Sequence, residues 1–188
     1  MLVRSVVFCL VLAACAAARG QSLERGLASE PIDALVAAAR ADGDPKRGAV
    51  VFHQPYVGCA TCHTAGDGEK PLGPDLARPP RETTLAHLIE SVLEPSKKIR
   101  EGYQTVVVAL GSGQSRTGLL VERRDGGVTL RDPREGGKAV AIAAGEIDEV
   151  KLSDQSLMPA GLVNTLASRQ QFLDLARYLR SEEHTSEL

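Results

Sequence analysis

The chain has 188 residues, and its 22 Lys and Arg stand against 24 Asp and Glu for a formal charge of −2. A hydrophobic content of 43% with 24% charged residues marks a globular chain of single-domain size. With 3 Phe, 3 Tyr, no Trp and no basic excess, it lacks the stacking platforms and electrostatic groove of a nucleic-acid binder, and its charge does not invite an anionic membrane.

Residues 1–18, MLVRSVVFCLVLAACAAA, set Arg4 ahead of a short apolar run and then small residues, the pattern of a secretory signal. The run falls short of the roughly 20 apolar residues of a spanning helix. Leu12-Ala13-Ala14-Cys15 has the form of a bacterial lipobox, which would leave Cys15 as a lipidated N-terminus; ordinary cleavage after Ala18 would discard it. Either route predicts an exported protein, periplasmic or lipid-anchored to a bacterial membrane, with Cys15 as its membrane contact. In the stretch 19–43, Gln21–Glu30 is polar and reads as a linker. Pro31–Asp42 then spaces Ile32, Leu35, Val36 and Ala39 as a short amphipathic helix. Asp44-Pro45 supplies an N-cap and a first-turn proline for a helix to about His53. Gly58–Pro80 is rich in Gly and Pro and reads as loop.

Thr84 opens the clearest helix, with Leu85, Leu88, Ile89, Val92 and Leu93 on one face and Pro95 as its stop. From Tyr103 the period changes. Tyr103–Leu110, Ser115–Glu122, Val128–Arg131 and Ala139–Ile142, separated by glycine-rich turns, predict a small antiparallel sheet that Glu149–Leu152 would close. Ser168 and Gln171 form a capping-box pattern ahead of a last helix whose face is Phe172, Leu175, Ala176 and Leu179. The expected fold class is α+β, a domain over 44–180 with a β insert at about 103–152. Ser181–Leu188 resemble the translation of a sequencing adapter and are expected to stand outside the fold.

Cys59-Ala60-Thr61-Cys62-His63 is C-x-x-C-H, the attachment signature of c-type haem. One helical turn lets both thiols reach the two vinyl groups of one porphyrin edge, and His63 then offers its imidazole to the iron. Three rivals compete for these residues. A thioredoxin-like pair wants a βαβ setting, which the pattern lacks. Structural zinc needs a fourth ligand, and adjacent Cys62 and His63 would strain its tetrahedron. A plain disulfide across the C-x-x-C is the third. Gly73-Pro74-Asp75-Leu76 follows; it is a plain turn, or a turn whose Pro74 carbonyl accepts the hydrogen bond of the imidazole's other nitrogen and fixes the tautomer.

Met1 leaves with the signal, so Met158 is the methionine of the mature chain. It lies in a loop, Ser153–Leu162, ahead of the last helix, and is the candidate sixth iron ligand; the alternative is a core methionine filling a gap. His53, at the end of the Asp44 helix, and His87, expected on the polar face of the Thr84 helix, are the competing ligands.

Taken together, Cys59–His63, Gly73–Leu76, Ile89–Tyr103, Thr117–Leu120 within the insert, Ser156–Leu162 and Asp174–Leu179 resemble the haem-binding domain of the Planctomycetes–Verrucomicrobia type, over about Asp44–Leu179. The resemblance implies a cytochrome c-like helical core around one covalent haem c, interrupted by the β insert before the Met158 loop. It also implies redox partner proteins, a dehydrogenase among them. With His63 and Met158 both on iron there is no open substrate site. The expectation is therefore carriage of one electron between an extracytoplasmic dehydrogenase and an acceptor rather than catalysis. The alternative is a haem enzyme or ligand sensor, peroxidase-like, in which the distal ligand is labile.

Overall fold

The computed structural model describes residues 22–63, 72–76 and 82–180. The expected signal with Cys15 and the adapter-like tail lie outside the described residues. Helix α1 (Leu23–Ala28) is capped by Ser22, whose hydroxyl accepts from the Arg25 N–H. This corrects the linker expected over Gln21–Glu30. A six-residue helix is too short to show a periodic face, and only Leu27 buries its side chain, at 1% exposure. Helix α2 (Ile32–Asp42) buries Leu35 and Ala39. Helix α3 (Pro45–Phe52) starts at Asp44, whose carboxylate accepts from the Lys46 and Arg47 N–H groups at 2.9 and 3.1 Å. Helix α4 (Cys59–Cys62) is a single turn. Helix α5 (Leu85–Leu93) is capped by Thr84. Helix α6 (Arg169–Leu179) is capped by Ser168, while the Gln171 side chain reaches back to the Ala167 N–H at 2.9 Å.

These helices share one apolar core that joins Leu27, Leu35 and Ala39 to Phe52, Ile89, Val163, Phe172 and Leu173. The expected domain start at Asp44 is therefore no boundary, because the two helices before it supply buried core residues. Helices α3 and α6 cross closely. A Cβ at Gly48 would collide with the Asp174 carbonyl and the Tyr178 Cβ, so glycine lets the two backbones meet. Beside the crossing, the Phe52 and Tyr178 rings pack at 5.5 Å. The buried Asp174 carboxylate ties the helices together. It accepts from the Asp44 N–H (2.9 Å), Arg47 Nε (2.8 Å) and Nη2 (2.9 Å), and Gln170 Nε2 (2.9 Å). Burial alone would raise its pKa; these hydrogen bonds outweigh burial and hold it below the ordinary carboxyl value.

The insert is a five-stranded antiparallel sheet of β1 (Thr105–Leu110), β2 (Ser115–Arg124), β3 (Gly127–Arg131), β4 (Ala139–Ala143) and β5 (Ile147–Leu152), in the order β4-β3-β2-β1-β5. A 3-10 turn over Ala144–Glu146 carries the chain from one edge strand to the other. Ala143 to Ile147 can span at most about 15 Å at 3.8 Å per residue, whereas the edges of a flat five-stranded sheet stand roughly 19 Å apart. The sheet therefore coils, and register shifts at Ala109/Leu110 and Leu120/Glu122 mark where its strands bend. Its concave side holds a second core of Val106, Val108, Val128, Leu130 and Ile142, separate from the helical one. Asp132, fully buried, accepts from Arg116 Nη1 (3.0 Å) and from the Arg134 guanidinium, fixing the β3–β4 connection.

The chain enters and leaves the sheet at one place. The Ser153 N–H donates to the Thr105 carbonyl at 2.8 Å, and the Ser156 N–H donates to Ser96 Oγ at 3.0 Å. The molecule is thus an α+β protein in which a sheet with its own core is inserted between α5 and α6. Among the described residues no helix is long and apolar enough to cross a membrane.

Candidate functional site

Two glycines and one proline shape the Cys59–His63 segment and its surroundings. Gly58 adopts φ +78, a left-handed conformation that turns the chain out of the α3 exit and directly into α4. Val57, 2% exposed, anchors that turn in the helical core. The single turn of α4 is closed by the His63 N–H donating to the Cys59 carbonyl at 3.0 Å. Cys59 and Cys62 are half-buried free thiols, with no disulfide between them. Burial pushes the Cys59 thiol up to about 11 and raises Cys62 as well. Both stay protonated at neutral pH, the opposite of the lowered pKa that activates a thioredoxin-type nucleophile.

His63 caps α4 in extended conformation, φ −109 and ψ 140. Its Nδ1 lies 3.0 Å from the Pro74 carbonyl oxygen. A carbonyl only accepts, so Nδ1 carries the proton and the Nε2 lone pair points away from that contact. Gly73 is buried flat against the ring: a Cβ there would sit 2.7 Å from both Cε1 and Nδ1. Burial lowers the His63 pKa and the Pro74 carbonyl opposes that effect, the net result being a neutral imidazole. The structure thus brings together Cys59, Cys62, His63 and Pro74. It adds Gly73, whose role was not legible because it depends on a ring ten residues earlier in the chain. Leu76 packs with Cys59 against the helical core.

Met158 is half-buried in the loop between β5 and a 3-10 turn over Leu162–Thr165. It belongs to neither apolar core, and its N–H donates to Ser156 Oγ at 3.1 Å. His53 is exposed at the end of α3, edge-on to Phe52 at 5.1 Å. His87 is half-buried in the first turn of α5 with its N–H on Thr84 Oγ1. Among the described residues no group of three or more His, Cys, Asp and Glu side chains converges as a metal site.

A cleft of about 460 Å³ lies on the sheet, between Gln114, Ser115, Arg116, Arg134 and Glu135. Both guanidinium groups there are engaged by Asp132, and Glu135 stands 3.6 Å from Arg116, so the cleft carries no net charge for a ligand to meet. A scan of the chain against family models finds no match, and a search of curated proteins finds none either.

Proposed function

We propose that the chain is an exported c-type cytochrome domain of the Planctomycetes–Verrucomicrobia haem-binding type, its helices a cytochrome c-like core that carries one electron between a dehydrogenase and an acceptor. Cys59 and Cys62 would hold haem c through thioethers, His63 Nε2 would be the proximal iron ligand and Met158 the distal one. The donor set fits that group. Two reduced thiols stand one turn apart, and the next residue is an imidazole whose free lone pair is set by a carbonyl on its other nitrogen. The contact between His63 Nδ1 and Pro74 is the observation that carries the reading, because a half-buried ring held in one tautomer is what a metal-ligating histidine requires.

When bound, haem supplies a one-electron iron couple. The protein's part is to hold, orient and tune. Pro74 makes His63 a stronger donor, the Met158 thioether favours the reduced state, and the apolar side chains of α3, α5 and α6 limit water. With His63 and Met158 both holding the iron, no coordination site would remain for a substrate, and this would separate a carrier from an enzyme.

The test is maturation of the chain with a haem-attachment system, followed by acid–acetone extraction and a pyridine haemochrome. Haem that stays with the protein and gives a two-thioether spectrum is expected, and His63→Ala should lose most of it. Extractable haem, or stoichiometric zinc in its place, would overturn the assignment.

A further inference from the structure

The loop that carries Met158 is fastened on both sides, and one fastening comes from outside the region of family resemblance. Upstream, the Met158 N–H is held by Ser156 Oγ, and the Ser156 N–H in turn by Ser96 Oγ. Downstream, Gly161 turns the chain at φ +81, and its carbonyl accepts the Asn164 N–H at 2.9 Å. The Asn164 side chain then meets α1 twice. Its Oδ1 accepts the Glu24 N–H at 3.0 Å, and its Nδ2 donates to Glu24 Oε2 at 3.0 Å. An amide that accepts and donates to one residue has its orientation fixed and both ends satisfied. Leu27 of α1 and Val163 of the 3-10 turn, each 1% exposed, lie in the same core. Just past α1, the Glu30 carboxylate takes a forked pair from Arg169 Nε (2.8 Å) and Nη2 (2.7 Å) at the start of α6.

A helix that merely led into the domain would have no need of these contacts. They all fall on the segment from Gly161 to Arg169, which returns the chain from Met158 to the core. We infer that α1 is a latch on the Met158 loop and that Glu24 and Asn164 are positioning residues for the distal ligand. The inference rests on the reading of Met158 as an iron ligand. Freeing the Gly161 end gives the loop more conformations, and the thioether spends less time where iron would meet it.

The experiment uses the full matured chain in its oxidised state. Its readouts are the far-red sulfur-to-iron charge-transfer band and the rate of cyanide binding, with the thermal midpoint measured alongside. The lost contacts are exposed hydrogen bonds of modest individual worth, so Asn164→Ala and Glu24→Ala should each speed cyanide binding roughly three- to tenfold and weaken the band. Glu24→Gln keeps an acceptor oxygen and should behave as wild type. Glu149→Gln, at an exposed ion pair on β5, is the control and should change neither readout. A wild-type band with unchanged cyanide rates in both alanine variants overturns the latch and leaves Met158 as ligand. No band in the wild type overturns the Met158 reading and the latch role with it. Should the alanine variants load no haem, hydrogen exchange of the amides over 155–166 in the unloaded chain decides. Exchange three- to tenfold faster than wild type supports the latch, and unchanged exchange overturns it.

Discussion

Replacing Gly73 by alanine puts a methyl group where the His63 ring already stands. The new Cβ would lie 2.7 Å from Cε1 and Nδ1 and 2.8 Å from the Cys62 carbonyl oxygen. Carbon wants about 3.5 Å from such neighbours, so the ring or the Gly73-Pro74 turn must retreat by about 0.8 Å. That takes the 3.0 Å contact between Nδ1 and Pro74 beyond hydrogen-bond range. Overpacking of this kind costs about 1–3 kcal/mol and the lost bond about 1 kcal/mol more. The unloaded chain should therefore melt roughly 5–15 °C lower, read by circular dichroism. In the haem-loaded protein, His63 without its carbonyl partner is a weaker donor to ferric iron, so the midpoint potential should rise in a redox titration. A variant that melts within a degree of wild type, with its potential unmoved, would refute the claim that Gly73 and Pro74 set the His63 ring.

Three further predictions follow from the same geometry. Met158→Ala should abolish the far-red band, lower the potential and admit cyanide or carbon monoxide more readily; if the band is absent in wild type and the variant changes nothing, the enzyme-or-sensor reading overtakes electron transfer. The carboxyl of Asp174 is held below its ordinary value of 3.8, so its stabilisation is complete above that value and lost as pH falls through the lowered one. Urea midpoints measured from pH 7 down to 2.5 should accordingly fall less steeply for Asp174→Asn than for wild type, and equal slopes would count against the Asp44–Arg47–Asp174 tie. A chain begun at Asp44, the start of the family resemblance, should fail to fold cooperatively, because it lacks Leu27, Leu35 and Ala39 from the helical core; a sharp melt near the wild-type temperature would show that α1 and α2 are dispensable.

What could be read from the residues alone was what local spacing encodes. The turn at Cys59–Cys62 is legible because a C-x-x-C interval matches one helical turn, and α5 because its apolar residues recur every turn. The strands are legible because valine-rich runs alternate with glycine turns; the extension of β2 from Glu122 to Arg124 hides because the exposed Arg123 and Arg124 carry no apolar signal. Helix α1 hides because two leucines, Leu23 and Leu27, are too few in six residues to make a pattern. Three of the four donors on Asp174 hide because Asp44 and Arg47 lie some 130 residues away in the chain, and the Glu24–Asn164 pair hides for the same reason, across 140 positions.

The single doorway to the sheet, where Thr105 and Ser153 are hydrogen-bonded, sets the order in which the molecule should assemble. The helical core needs the Leu162–Thr165 turn and α6 to find α5 across the whole stretch 94–161, an expensive loop to close while it is unstructured. A sheet already formed short-circuits that stretch to its two flanks, 94–104 and 153–161, a roughly threefold shorter loop that relieves about 1 kcal/mol of closure entropy, or about sixfold in rate. The insert then acts as a folding clip for the helices on either side of it. Stopped-flow refolding with separate probes in β3 and α6 should find the sheet formed first, and simultaneous or reversed phases would remove that role.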